Sequence, residues 1–338
     1  MRRALLAMAL GTAMFPASFA LGEDAATHAR LGLEAADRWP GYASLCNLDS
    51  RIRDVNSPRS ESARNQPTGE RGRGAAARHG RTSRPLPPVR VFDNLYFLGN
   101  RSVSAWLYGD ERGYLLIDGL NNDEEARRFI LGGMKTLGLD PEAIQGVLVT
   151  HAHGDHYGGA DYVAEVLGVD IMMSQADWDL AAALGEHPRF GAPPEPGVVV
   201  RDGQTIRFGV SALDVHITPG HTPGTISPVF AVYDDGQPHS AMLWGGTGFN
   251  FGPNAEIFRD YAESAARMRE LSREAGVDVF ISNHARRDGS IEMMAALADR
   301  QPDEPHPFVT GEEGYSLFTV LEQCALAQAA RLRGAVSE

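Results

Sequence analysis

Apolar positions follow two different periods along most of this chain. Runs of period two predict three short strands, over residues 91–98, 103–108 and 113–118. A helical period begins after Asn122, which can cap a helix that runs to about residue 137. Further strands are predicted at residues 147–150, 169–173 and 277–281, and strands dominate between residues 198 and 244. Further helices are predicted at residues 162–167, 175–184, 259–275, 290–300 and 312–333.

The order of these elements predicts the fold class. Each of two strand-rich halves is followed by helices, and this order favours two sheets packed face to face with helices outside. A sequence repeat with a period of about 20–50 residues is not visible, which argues against a solenoid or a propeller. We therefore predict a single α/β domain, of the α+β kind, over residues 91–338.

The first twenty residues have the three parts of a secretory signal peptide. Arg2 and Arg3 form a basic start, residues 4–15 are apolar, and residues 18–20 provide a cleavage site of the small-x-small type. The apolar part is too short to span a bilayer as a permanent anchor. We predict a signal peptide at residues 1–20, secretion across the inner membrane to the periplasm and no stable membrane anchor. A buried N-terminal helix is the alternative.

Two segments of different composition separate this signal from the predicted domain. Residues 21–50 form a short acidic segment with a helical pattern over residues 25–37. Residues 51–90 carry ten arginines against three acidic residues and show almost no apolar periodicity. That composition predicts a flexible, solvated linker, and contact of the arginines with an anionic envelope surface is the alternative.

Charge and cysteine content limit the partners of the chain. The 338 residues carry a net charge of −13, with Lys135 as the single lysine. The signal, the acidic segment and the linker carry +2, −3 and +7, so residues 91–338 carry −19. Nucleic acids and anionic membranes bind clustered cations, so a small-molecule substrate is favoured over either. Cys46 and Cys324 fit a disulfide in an oxidising compartment and equally two free buried thiols.

Three histidines and one aspartate lie within six residues, directly after a predicted buried strand. Alternate residues of a strand share a face, so His151 and His153 lie on one side. Gly154 lets the chain turn back, so that Asp155 and His156 face the same space. Neutral imidazoles with one carboxylate suit zinc, and since one ion binds at most four ligands, we expect two neighbouring ions. Histidines that act only as buried polar groups or as a helix cap are the alternative.

Two later segments place histidines at the ends of predicted strands. His221 lies between two Pro-Gly turns, which make its loop stiff, and His284 follows an apolar run. Strand ends of this kind can meet at one edge of a sheet. The candidate metal ligands divide into three and three and leave coordination positions for water, as in a catalytic site. They are His151, His153, Asp155, His156, His221 and His284.

The His-x-His-x-Asp-His motif, the Gly-His-Thr-Pro-Gly loop and the late strand-end histidine resemble the metallo-β-lactamase superfamily over about residues 91–300. The resemblance implies an αββα sandwich in one catalytic domain, with two Zn²⁺ per chain. It also implies the two ligand sets, His151, His153 and His221 for one zinc and Asp155, His156 and His284 for the other.

One departure from the superfamily pattern narrows what the resemblance implies. Gly246 or Thr247 stands where most hydrolases of the superfamily have an aspartate or a cysteine. This is similar to the β-lactamase subclass whose second zinc is held by Asp, His and His, and it argues against glyoxalase II-type and phosphodiesterase activities. The implied enzyme is an exported zinc-dependent hydrolase in which a zinc-bound hydroxide, oriented by Asp155, opens a cyclic amide such as a β-lactam. A lactonase, thioesterase or other ester hydrolase is the alternative, and metal binding without catalysis is a third hypothesis.

A carboxylate substrate needs a cation or hydroxyl groups near the metals, and Lys135 lies far from the motifs. Arg286 and Arg287 follow His284 directly and can reach the rim of a cleft or lie on the surface. Tyr157 can donate its hydroxyl to a developing oxyanion or pack in the core. The candidate substrate-binding residues are Tyr157, Thr225, Ser227, Thr247, Arg286 and Arg287.

Overall fold

The computed structural model describes residues 24–58 and 84–334, in which two sheets form the centre of the fold. The first sheet consists of β1 Val89–Phe92, β2 Leu95–Gly99, β3 Ser104–Asp110, β4 Gly113–Ile117, β5 Ile144–Leu148, β6 Asp170–Ser174 and β7 Val198–Val200. These strands are neighbours in sequential order, β1 to β4 antiparallel and β4 to β7 parallel.

The second sheet consists of β8 Thr205–Phe208, β9 Ser211–Asp214, β10 Val229–Asp234, β11 Gln237–Trp244 and β12 Val279–Ser282. Its order is β12-β11-β10-β9-β8. Only β11 and β12 are parallel in this sheet, and the other neighbours are antiparallel.

Helices cover both sheets. They are α1 Ala25–Glu34, α2 at residues 123–136, α3 Gly154–Tyr157, α4 Ala160–Leu167, α5 Gln175–Leu184, α6 Ala255–Glu274, α7 Ser290–Asp299 and α8 Ser316–Gly334. The side chain of Asn122 accepts a hydrogen bond from the backbone N of Glu125, so the predicted cap of α2 is confirmed. The middle of α2, Ala126–Leu131, is π-helical.

The core lies in three layers of apolar contacts. Phe97, Trp106 and Ile117 of the first sheet pack against Phe230 and Leu243 of the second. The outer face of the first sheet packs against α2, α4 and α5, and that of the second sheet packs against α6 and α8. Burial of these apolar surfaces is the main force that holds the layers together. The arrangement confirms the predicted αββα sandwich.

The N-terminal segment shares this core. Trp39 and Tyr42, which follow α1, are fully buried in the cluster that contains α6 and α8. A disulfide joins Cys46 to Cys324, so of the two alternatives for these cysteines the structure has the bridge. The part of this segment up to Cys46 is therefore held on the outside of the second sheet.

Two predictions of local structure are corrected. Residues 91–98 are not one strand, because Asp93 and Asn94 form a turn between β1 and β2. The helix predicted over residues 162–167 begins earlier, because α4 already starts at Ala160 and the single turn of α3, Gly154–Tyr157, precedes it.

The predicted leader and most of the predicted linker lie outside the part of the chain that the structure describes. The signal peptide at residues 1–20 and the linker residues 59–83 are in these ranges. Within residues 24–58 and 84–334, no helix is long and apolar enough to cross a membrane.

Candidate metal centre

The ends of four strands meet at one edge of the sandwich. Asp118 follows β4, residues 151–156 follow β5, Thr247 follows β11 and His284 follows β12. Since β4 and β5 are parallel and so are β11 and β12, each pair delivers its following residues to the same edge. The loop between β9 and β10 adds His221. All six predicted ligands therefore lie at this edge.

The six side chains form two compact groups of three. In each group, one candidate ligand atom per residue lies within 4.8 Å of the other two. In the first group, Nε2 of His221 lies 3.1 Å from Nε2 of His151. In the second, Nε2 of His156 lies 3.7 Å from a carboxylate oxygen of Asp155. The groups are His151, His153 and His221, and Asp155, His156 and His284.

Each of the five histidines uses one ring nitrogen for a contact with the protein, and this contact orients the ring. Nδ1 contacts the Thr150 hydroxyl in His151, the Asp118 carboxylate in His156, the Gly248 carbonyl in His221 and the Ser102 carbonyl in His284. His153 differs, because its Nε2 lies 2.7 Å from Oδ1 of Asn56. In every ring the other nitrogen is left to bind a metal.

Burial makes most of these imidazoles neutral at pH 7. It lowers the pKa of His153 to about 4 and holds the pKa of its two partners well below the ordinary histidine value. Burial also lowers the pKa of His156, but the carboxylates of Asp118 and Asp155 outweigh it and raise that pKa. Burial raises the pKa of Asp155, whereas the neighbouring imidazoles lower it by more. Neutral rings and an ionised carboxylate are the forms that bind metals.

Asp118 supports the centre and was missed by the sequence analysis. It is fully buried, accepts hydrogen bonds from the backbone N and hydroxyl of Thr150, and lies 2.7 Å from Nδ1 of His156. Its φ of +66° is uncommon for a residue other than glycine, and the three contacts hold it there. An acidic residue at the end of an apolar strand was the signal that could have identified it.

Asp177 in α5 was also missed. Its carboxylate accepts hydrogen bonds from the backbone N of Ala152, the backbone N of Gly224 and the hydroxyl of Thr222. One buried carboxylate thus joins the loop after β5 to the loop that carries His221. Burial raises the pKa of Asp177 to about 6. The helical pattern of residues 175–184 contains no signal for this role.

Two glycines make room for the centre. A Cβ at Gly246 would lie 2.5 Å from Cβ of His221, so a side chain there would displace this histidine. A Cβ at Gly154 would lie 2.3 Å from the ring of Phe190. The φ of Gly154 is not positive, so this glycine serves close packing and not the predicted reversal of the chain.

Two adjoining cavities open onto the candidate ligands. The larger, of about 510 Å³, is lined by all six of them and by Thr247, Arg286 and Arg287. The smaller, of about 320 Å³, is lined by Tyr157 and by the apolar side chains of Leu184 and Phe190. The structure therefore brings four of the six candidate substrate-binding residues to the cleft, Tyr157, Thr247, Arg286 and Arg287.

Thr225 and Ser227 do not reach the cleft, contrary to the prediction. Both are fully buried. The Thr225 hydroxyl accepts a hydrogen bond from the backbone N of Thr222, and the Ser227 hydroxyl contacts that of Thr218. These side chains stabilise the loop of His221, and burial keeps them from substrate. Arg287 lines the cavity, but it also donates to the carbonyl of Gly41 and so holds the N-terminal segment.

The donor set fits two zinc ions. Five imidazoles and one carboxylate are the nitrogen and oxygen ligands that zinc accepts. Nε2 of His156 is buried and has no hydrogen-bond partner among the described residues. An unpaired buried nitrogen is unfavourable unless a further group binds it, and a metal ion next to Asp155 and His284 would do so.

Comparison with known proteins gives one family and several relatives. Residues 98–234 match a family model described as the metallo-beta-lactamase superfamily. A hydroxyacylglutathione hydrolase of Francisella philomiragia is 28% identical over 159 residues, which are 46% of this chain and 52% of that protein. One of Gloeobacter violaceus is 31% identical over 156 residues, 46% of this chain and 55% of that protein. The chain thus spans about half the length of these curated relatives.

Similar solved structures cover more of the chain. BJP-1, a subclass B3 metallo-beta-lactamase of Bradyrhizobium japonicum, has a TM-score of 0.62 at 23% identity, over 75% of this chain and 97% of that one. The FEZ-1 metallo-beta-lactamase from Legionella gormanii has a TM-score of 0.61 at 20% identity, over 76% and 98% of the two chains. At these identities the likeness establishes the fold.

Proposed function

Because residues 98–234 match the metallo-beta-lactamase superfamily, we propose that the protein is an exported zinc-dependent hydrolase that opens a β-lactam. The observation that carries the proposal is the pair of ligand groups, three histidines and Asp-His-His, with no room for an acidic side chain at Gly246. The resemblance in sequence connects this ligand set with β-lactamases. The folds of BJP-1 and FEZ-1 support the same choice.

The residues of the cleft have separate tasks in this proposal. When bound, two zinc ions supply a water of lowered pKa and a positive charge beside the substrate carbonyl. Asp155, ionised because the imidazoles lower its pKa, accepts a hydrogen bond from the attacking water and orients it. Arg286 and Thr247 bind the substrate carboxylate, and Leu184 and Phe190 contact an apolar substituent.

Hydrolysis of a thioester, a lactone or another ester is the second candidate. The observation that favours it is the similarity to two hydroxyacylglutathione hydrolases. Gly246 and Thr247 argue against a glyoxalase II-type activity, but this similarity makes that activity a candidate again. The ligand groups are equally able to hold ions next to an ester carbonyl.

A substrate panel tests the proposal. Zinc-loaded protein is assayed with a chromogenic cephalosporin, an acyl-homoserine lactone and a glutathione thioester, with His153→Ala as the inactive control. We expect cephalosporin hydrolysis that chelation abolishes and zinc restores. Turnover of the ester or thioester without the cephalosporin would select the second candidate. Zinc binding without turnover of any of the three would contradict both.

Export is the second part of the proposal. The signal-like residues 1–20 support it, and so does the disulfide between Cys46 and Cys324, since such bridges persist in oxidising compartments. Mass spectrometry of the protein from a periplasmic fraction should give an N-terminus near Leu21. A full-length chain that stays in the cytoplasm would contradict export.

A further inference from the structure

A short segment at the start of the predicted linker lies against the metal centre. We call residues 53–57 the N-terminal strap. The strap runs beside residues 250–252, with a hydrogen bond from Val55 N to the carbonyl of Asn250 and an antiparallel bridge to the same segment. Asp54 stabilises the turn that follows, because its carboxylate accepts hydrogen bonds from the two backbone N atoms after Val55. The strap therefore places Asn56 at the cleft.

The amide of Asn56 contacts two of the three histidines in one ligand group. Its Nδ2 donates to the carbonyl of His221 at 2.8 Å, and its Oδ1 lies 2.7 Å from Nε2 of His153. A carbonyl accepts hydrogen bonds and cannot donate, so it fixes which end of the amide is the NH₂. The end that faces His153 is then the oxygen, which can only accept. Nε2 of His153 must therefore carry the proton, and Nδ1 has the free lone pair.

We propose that Asn56 is a positioning residue of the metal centre. It holds His153 in the tautomer that presents Nδ1 to the metal. It also links zinc binding to closure of the strap. The inference rests on the proposed zinc site and not on any substrate. The rings of the other four histidines are held by residues outside the strap, so His153 is the ligand whose ring this segment orients. Because coupling is reciprocal, zinc must stabilise the closed strap as much as the strap stabilises zinc.

Three matched variants test the role of the amide oxygen. Asn56→Ala removes it, Asn56→Asp keeps an acceptor for His153, and Asn47→Ala removes an exposed amide of the same segment outside the cleft. Zinc affinities are measured by competition with a chromophoric chelator. We expect Asn56→Ala to bind one of two zinc ions about 10- to 100-fold more weakly, and Asn56→Asp and Asn47→Ala to stay within about threefold of wild type. Wild-type affinity in Asn56→Ala, or an equal loss in Asn56→Asp, would overturn the proposal.

Hydrogen exchange tests the link to the strap. We expect zinc to slow amide exchange of residues 54–57 in the wild type and to leave it unchanged in Asn56→Ala. ¹⁵N NMR of the zinc-loaded wild type should show His153 protonated at Nε2; a ring protonated at Nδ1 would overturn the assignment. These measurements need no substrate, so a protein that binds zinc and hydrolyses nothing refutes the proposed function alone. A wild type that binds no zinc refutes both.

Discussion

At the scale of single residues, the candidate centre depends on imidazoles that offer one nitrogen to a metal and use the other for a contact with the protein. Each imidazole has one nitrogen held by the protein, and the holding groups come from four different loops and the strap. The spacing of the histidine motif predicted four ligands, because residues within one turn of the chain share a location whatever the rest of the fold does. It did not predict Asp118 or Asn56, which meet the motif only after folding.

Removing one ligand from each group should remove one ion at a time. His284→Ala should retain about one zinc per chain in the three-histidine group, and His221→Ala should retain about one in the other group. Elemental analysis after a chelator wash measures this. His239→Ala is the control, since that ring contacts Asp278 on another part of the second sheet. Two ions retained in both ligand variants would contradict the assignment.

Arg286 is exposed at the rim of the larger cavity. If it binds the carboxylate of a cephalosporin, Arg286→Ala should raise KM roughly tenfold and change kcat much less, because the lost charge-assisted contact exists before the chemical step. Steady-state kinetics measures both constants. Arg267→Ala, which removes an exposed cation paired with Asp202, is the control. An unchanged KM would show that Arg286 makes no substrate contact.

At the scale of elements, segments far apart in the chain are joined by side chains that are not themselves candidate ligands. Asp177 joins the loop after β5 to the loop between β9 and β10, and the bridge from Cys46 to Cys324 ties the N-terminal segment to α8. The pattern of apolar positions predicted most of the helices and strands, because burial of one face imposes their periods. It could not predict these ties, since each is a contact between elements far apart in the chain.

The buried carboxylate of Asp177 should make stability depend on pH. Its pKa is raised from 3.8 to about 6, so between these values the folded protein binds the proton more tightly than the unfolded chain. The free energy of unfolding should therefore fall as pH rises from about 4 to 6, by roughly 3 kcal/mol for this group.

Comparison with Asp177→Asn isolates that contribution from other titrating groups. Urea unfolding of chelator-treated protein is measured for both proteins across this pH range. Asp177→Asn loses hydrogen bonds at every pH. Its free energy of unfolding should nevertheless rise relative to that of the wild type as pH rises. A difference that stays constant from pH 4 to 6 would contradict the raised pKa.

The disulfide should stabilise the fold by restricting the unfolded chain. It joins residues 278 positions apart, and bridges over long loops typically contribute about 2–5 kcal/mol. Cys46→Ser with Cys324→Ser should lower the free energy of unfolding by that amount, measured by urea unfolding. Reduction of the wild type is the control and should give a similar loss. Equal stability of oxidised and reduced protein would show that packing of α1 against α8 suffices.

At the scale of the whole molecule, the two halves of the sandwich share the candidate metal centre. The loop after β5 supplies four of the six candidate ligands, and the second half supplies His221 and His284. Zinc should therefore stabilise the whole fold, by about 4 kcal/mol when free zinc is 1,000 times the dissociation constant. Calorimetry should show a lower Tm after chelation. A His153→Ala/His284→Ala double variant should lose this zinc dependence, and a Tm unaffected by chelation in the wild type would contradict the shared site.

The sequence by itself determined the alternation of strands and helices, the acidic character of residues 91–338 and the group of candidate ligands at residues 151–156. Periodicity, composition and short spacing are local properties, and they need no knowledge of the fold. Only the tertiary structure decided that Asn56 holds His153, that Thr225 is buried away from the cleft and that the two cysteines meet. These contacts join residues up to 278 positions apart, and only the packing of the layers brings them together.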